Sequence, residues 1–345
     1  MMTPVLDFEL PPGLEASVPP EEQGTLRDQV RLMVGHRSSG DIVDDVFASL
    51  PAYLRSGDAL VINTSATIPA ALSASTAGGE EVVVHLSTRI DEGLWTVEVR
   101  KPAGFGSLPG PYLQPQALAL PAGGEVRLLT HPDYSKRMWF AELRVPGDLL
   151  AYLGDHGRPI RYRYAAARWD LDAYQTVYAR EPGSAEMPSA GRPFTTELLA
   201  SLVASGVVIL PIVLHSGVAS LELGEHPAPE QRRVPVATAT AINALRADGG
   251  RVIAVGTTVT RALESVADVD GTVRPAEGLT DIVIGPNRPT RVVDGLITGW
   301  HEPKASHLEL VEAVAGPSLA TRMYERALAT RYLWHEFGDS CLILP

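Results

Sequence analysis

Two textures divide this sequence, and the boundary between them constrains the fold more than any single motif. Residues 67–147 carry four strand-like runs, 81–87 (EVVVHLS), 94–100 (LWTVEVR), 125–130 (EVRLLT) and 138–145 (MWFAELRV). Gly78-Gly79, Pro109-Gly110-Pro111 and Gly123-Gly124 punctuate them, and little helical periodicity intervenes. Short strands separated by turn residues predict a small β-barrel. On either side the pattern changes to strand, turn and helix in succession, which predicts an α/β unit with a largely parallel sheet and helices on both faces. The expected organisation is a discontinuous main domain, 1–66 and 148–345, with the barrel inserted at 67–147.

Within the α/β part, 59–63 (ALVIN), 207–215 (VVILPIVLH), 251–255 (RVIAV), 280–284 and 291–298 read as strands. Helices are expected at 195–205, 237–248 and 258–267, with two more after Ala305. Asp41 followed by Ile42, Val43, Val46, Phe47 and Leu50 at helical spacing predicts a further short helix. Cys341 is the only cysteine, which excludes an internal disulfide and a cysteine-rich metal site and suits a buried C-terminal strand. No spaced His/Cys set is present, so no metal is expected.

The net charge of −12, from 29 basic and 41 acidic residues, disfavours indiscriminate nucleic-acid binding. A local basic groove remains possible at 157–168 (GRPIRYRYAAAR), where Arg158, Arg161, Arg163 and Arg168 interleave with tyrosines. A solvated linker is the equal alternative. No apolar run reaches the roughly 18 residues of a membrane span, and the N-terminus lacks signal-peptide character, so a cytoplasmic location is expected.

The stretch 174–195 (YQTVYAREPGSAEMPSAGRPFT) is the densest loop. It combines ring faces, small residues and a fresh helix N-terminus, the ingredients of a pocket for a flat polar ligand. Tyr174, Thr176, Tyr178, Ser189, Gly191, Phe194 and Thr195 are its candidate contacts; a purely structural loop is the plain alternative.

Open α/β sheets bind ligands beyond the carboxyl ends of their strands. Three such ends carry chemistry. One reads His215-Ser216-Gly217. The second reads Gly256-Thr257-Thr258, with Arg261 and Glu264 on the following helix. The third runs from Gly299 through Trp300, His301, Glu302 and Pro303 to Lys304. Thr280 and Asp281 are further candidates. Each has an ordinary reading: a backbone-bonded histidine, an N-cap, a helix-face pair, a surface lysine. There is no phosphate-binding P-loop, dinucleotide fingerprint, zinc-protease HExxH, CxxC or GxSxG elbow.

Taken in order, DFELPP, RDQVRLMV (27–34), LRSGDALVIN (54–63), YQTVYAREPGS (174–184), VGTTVTRALES (255–265), GLTDIVIGP (278–286), HEPKAS (301–306) and FGDSCLI (337–343) resemble the S-adenosylmethionine:tRNA ribosyltransferase-isomerase family of queuosine biosynthesis. The resemblance spans nearly the whole chain. It implies S-adenosylmethionine as a substrate that donates its ribosyl part, with no prosthetic group. It implies a tRNA carrying 7-aminomethyl-7-deazaguanine as acceptor. With it, His215 becomes the candidate base, and Arg261, Lys304 and Asp281 candidates for orientation and charge stabilisation. The chain departs from the family pattern N-D-T-R-V-I-P-A-R-L at Thr64, Ala66 and Ala71, and from P-T-A-G-L-H-F-T at Pro193, where the family has histidine. These departures keep two alternatives open: a paralogue with a non-tRNA acceptor, and a catalytically silent nucleoside-binding protein.

Overall fold

The computed structural model describes residues 6–162, 167–218, 228–303 and 305–345. Its largest element is a nine-stranded sheet. From edge to edge the strands are Ala276–Thr280, Glu230–Val234, Val208–Leu214, Ala59–Asn63, Val252–Val255, Gly295–Gly299, Ser340–Leu344, Arg31–His36 and Ile42–Val46. Central strands are short apolar runs buried on both faces, as in Ala59–Asn63 and Ser340–Leu344.

Val208–Leu214, Ala59–Asn63, Val252–Val255 and Gly295–Gly299 run parallel, as do Ser340–Leu344 and Arg31–His36. The other four junctions are antiparallel. The sheet is therefore mixed, which corrects the expectation of a largely parallel one. Arg31–His36 returns as Ile42–Val46 through a turn too short for a parallel crossover. The last strand, Ser340–Leu344, inserts between Gly295–Gly299 and Arg31–His36 and opposes the former.

The same hairpin replaces the helix expected after Asp41. Ile42–Val46 is a strand, and only Phe47–Ala52 turns, as a 3-10 helix. Val43 and Val46 are exposed, so the apolar spacing there marks no buried helical face. Two expected strands are displaced, lying at Ala276–Thr280 and Gly295–Gly299.

Six helices are described: α1 (Leu149–His156), α2 (Thr196–Ala204), α3 (Val236–Ala247), α4 (Thr257–Glu264), α5 (His307–Ala315) and α6 (Pro317–Ala329). Strand side chains alternate between faces. Val61, Ala254, Leu296 and Ile343 pack in one core with residues of α3 to α6, including Ile242, Leu263, Val311 and Met323. Leu60, Ile62, Ile253, Ile297 and Leu342 pack in another with Phe47, Phe194, Leu198 and Leu202, the last two from α2.

The barrel is present. Ala71–Ser75, Glu81–Asp91, Leu94–Ala103, Met138–Arg144, Glu125–Thr130 and Ala117–Ala119 pair in a closed antiparallel ring. Leu72, Val84, Leu86, Val97, Leu118 and Val126 fill it. Gly106–Pro109 and Gly157–Arg158 attach to its strands. Among the described residues no helix is long and apolar enough to cross a membrane.

Candidate active site

A cavity of about 590 Å³ lies beyond the carboxyl ends of the parallel strands. Val252–Val255 delivers Gly256, Thr257 and Thr258 to its wall. Gly295–Gly299 delivers Thr298, Gly299, Trp300 and His301, and Val208–Leu214 delivers Ser216, Gly217 and Val218. The barrel closes the opposite side with Arg100, Ser107, Leu108 and Pro109. The loop before α2 adds Glu186 to Ala190, and α4 adds Arg261.

Gly256 holds the entry to α4 at φ 97°, a conformation side-chain-bearing residues rarely adopt. A Cβ there would also lie 3.4 Å from that of Ala190. This sharp turn leaves the first N–H groups of α4 at the cavity. Behind it Asn63 locks the strand ends together: its Nδ2 donates to the Leu214 carbonyl at 2.7 Å, and its Oδ1 accepts from the amides of Leu214 and Ser65.

Arg261 is buried, and its Nη1 donates to Glu230 Oε2; Glu230 Oε1 accepts the Gly217 amide at 2.8 Å. The pair pins the end of one strand to the helix after another. His301 Nε2 is 2.9 Å from Thr298 Oγ1, and its ring stacks on His307 at 4.8 Å between centroids. Burial pushes both imidazoles down, aided at His301 by His307 and at His307 by the Arg261 charge; His307 reaches about 4. Both rings are therefore unprotonated at neutral pH.

On the barrel side Arg100 Nε donates to Ser107 Oγ at 2.8 Å, and its guanidinium lies 4.9 Å from the Tyr162 ring centroid. The Tyr162 hydroxyl donates to Glu186 Oε1. Burial, followed by the Glu186 charge, raises the Tyr162 phenol well above its ordinary range and keeps it protonated. Among the described residues no group of three or more His, Cys, Asp or Glu side chains is placed to hold a metal ion.

Of the sequence candidates, Ser189, Gly217, Gly256, Thr257, Thr258, Arg261 and His301 line this cavity. His215 lines a neighbouring one of about 610 Å³ with Ser87, Arg89, Trp95, Asp148 and Gln231. Its Nδ1 is 2.7 Å from Ser65 Oγ, which meets Ser184 Oγ at the same distance. Burial lowers its pKa; the Glu181 charge opposes this and Arg233 adds to it.

Other candidates are spent on structure. Glu264 accepts the backbone amides of Arg291, Val292 and Val293 at 2.8–3.0 Å. Phe194 packs edge-on to Phe47 and Tyr178. Gly191 gives room to the Tyr178 hydroxyl, which would lie 2.0 Å from an added Cβ. Thr195 caps α2 by accepting the Leu198 amide. Thr176 and Thr280 are buried, and Asp281 is exposed. Tyr174 is buried against Phe337 and borders a narrow crevice with Arg161, Trp169 and Glu336. Arg161 is buried in that crevice, with Nε and Nη1 making no hydrogen bond among the described residues. Arg158 donates to Ser73, and Arg168 is exposed. Arg163 and Lys304 lie outside the described residues.

Sequence reasoning missed Arg100, Glu186, Glu230 and His307, and marked Tyr162 only as one of the tyrosines interleaved with arginines at 157–168. His307 follows His301 closely and Glu186 sits inside the marked loop, so both carried a local signal. Arg100 carried none, because only the docking of the barrel brings it to the cavity.

The sequence matches the family described as "Queuosine biosynthesis protein" over residues 3–343. It is 43% identical to the S-adenosylmethionine:tRNA ribosyltransferase-isomerase of Symbiobacterium thermophilum and 40% identical to that of Moorella thermoacetica, in each case over 98% of both chains. The crystal structure of S-adenosylmethionine tRNA ribosyltransferase from Thermotoga maritima superposes with a TM-score of 0.55 at 30% identity, covering 99% of this chain and 100% of that one.

Proposed function

Because the chain belongs to the queuosine biosynthesis protein family, we propose that it transfers and isomerises the ribosyl part of S-adenosylmethionine onto the 7-aminomethyl-7-deazaguanine base of tRNA. Adenine and methionine leave, and the base gains an epoxycyclopentanediol ring. The observation that best supports this reading is the charge of the main cavity. Its described wall carries five carboxylates, Glu15, Glu186, Glu230, Glu302 and Glu336, against two guanidiniums, Arg100 and Arg261. Such a wall favours a cationic ligand, and the donor is a sulfonium.

The sulfonium makes the C5′ hydrogen acidic. A base takes that proton; as the acceptor nitrogen bonds to the ribosyl unit and gives up a proton, the bonds from C1′ to adenine and from C5′ to sulfur break, releasing adenine and methionine. We assign proton removal to the unprotonated His301–His307 pair, which lines the main cavity. His215 lies across the Ser216–Gly217–Val218 segment and faces the adjoining cavity. Gly256 to Thr258 and Ser189 suit the nucleoside. Arg158 and the exposed Arg168 supply phosphate contacts for the tRNA.

The test is release of adenine and methionine from S-adenosylmethionine, with and without tRNA bearing the deazaguanine base. Release only with that tRNA is the expected result. Release without it, or only with a small-molecule acceptor, overturns the acceptor and favours a paralogue. Loss of release in His301→Gln with retention in His215→Gln supports the base assignment; the reverse pattern returns the role to His215.

A further inference from the structure

We infer that Arg100 forms an oxyanion subsite for the carboxylate on the methionyl chain of the donor, an assignment that rests on S-adenosylmethionine being that donor. Arg100 comes from the barrel strand Leu94–Ala103 and is 3% exposed, yet it lines the main cavity. Its Nε donates to Ser107 Oγ at 2.8 Å, its Nη1 to Glu98 Oε1 at 2.5 Å, and its Nη2 reaches the Ser107 carbonyl at 3.4 Å. A guanidinium carries five N–H donors in a fixed fork. The hydrogen bonds among the described residues therefore leave part of the fork for a ligand.

The countercharge is also shared. Glu98 is fully buried, and its second carboxylate oxygen lies 2.8 Å from Arg137 Nη1. Glu98 thus contacts both guanidiniums, and Arg100 is one of two arginines in a cavity wall otherwise rich in carboxylates. The Tyr162 ring against the guanidinium fixes its plane. S-adenosylmethionine carries an anionic carboxylate at one end of the methionyl chain and a cationic sulfonium at the other. The cavity offers a counterpart to each. A tRNA phosphate presents the same oxyanion chemistry. The small exposure of Arg100 favours a terminal carboxylate enclosed in the cavity over a phosphodiester on a bulky backbone.

Calorimetric binding of S-adenosylmethionine and of its decarboxylated form to the full chain, without RNA, tests this. The wild-type protein is expected to bind the decarboxylated form at least about tenfold more weakly, the cost of one charge-assisted contact. Arg100→Met is expected to bind both forms about equally. Arg100→Lys, which keeps the charge and loses the fork, falls between. Equal wild-type affinity for the two ligands overturns the assignment, and this comparison needs no variant to fold. Loss of tRNA affinity in Arg100→Met, with donor discrimination intact, also overturns it and moves the subsite to a phosphate. If folded wild-type protein binds neither donor, the failure lies in the proposed function.

Discussion

Glu230 accepts a hydrogen bond from Arg261, and both side chains are almost fully buried at the cavity wall. The second Glu230 oxygen holds the Gly217 amide, so one carboxylate joins α4 to the end of Val208–Leu214. Removing one partner of a buried pair leaves the other charge uncompensated, at a cost of about 3–5 kcal/mol. Glu230→Ala is therefore expected to lower unfolding stability by that order and to weaken donor binding. Glu230→Gln, which retains an acceptor for Gly217, is expected to lose less. Urea denaturation of the two variants beside wild type measures both effects; a change below about 1 kcal/mol in Glu230→Ala would show that Arg261 finds water instead.

Glu264 predicts a different pattern. Its carboxylate ties the 291–293 backbone to α4 through three amide donors. Glu264→Ala leaves those amides without their acceptor, and each orphaned buried group costs about 1–3 kcal/mol. The expected result is a large drop in melting temperature. Donor affinity of the protein that remains folded should be unchanged, because Glu264 does not line the cavity. A variant of wild-type stability with impaired binding would return Glu264 to the site.

These two glutamates show what the sequence revealed and what it concealed. Arg261 and Glu264 stand one helical turn apart and read as a pair, yet their side chains take different partners, Glu230 and the 291–293 backbone. Both partners come from distant segments. The barrel was legible because period-two strands and Gly/Pro turns are local signals. Strand direction was not: nothing within Ser340–Leu344 says that it opposes Gly295–Gly299. Gly256 to Thr258, Gly217 and His301 reach the cavity because strand ends carry ligands in open sheets. Tyr178 and Phe194 looked like stacking faces and are packed with Phe47, since an aromatic beside a glycine looks the same in a core as in a pocket.

The phosphate contacts proposed for Arg158 and Arg168 predict a salt dependence. Each phosphate neutralised contributes roughly 0.7–0.9 to the slope of log affinity against log salt. Arg158→Met and Arg168→Met are each expected to lower tRNA affinity and to reduce that slope by about this amount. Donor affinity measured without RNA is expected to stay at the wild-type level, because neither residue lines the main cavity. Binding isotherms between roughly 50 and 200 mM salt give the slopes; unchanged slopes in both variants would exclude these side chains as phosphate contacts.

His307 makes stability depend on pH. Its pKa falls to about 4 in the folded chain, against about 6.5 for an unperturbed imidazole. Between those values the unfolded chain binds a proton that the folded chain refuses. Stability from this group is complete above the unfolded value and is lost as pH falls towards the folded one. His301 is shifted in the same direction and adds to the loss. Because the His307 ring is only partly shielded from water by area, the expected loss between pH 7 and 5 is about 1–2 kcal/mol for this residue. His307→Phe removes its own titration and reduces the fall over that range, leaving the His301 contribution in place. Urea midpoints at the two pH values, for wild type and variant, give the comparison; an equal fall in both proteins would place the acid sensitivity elsewhere.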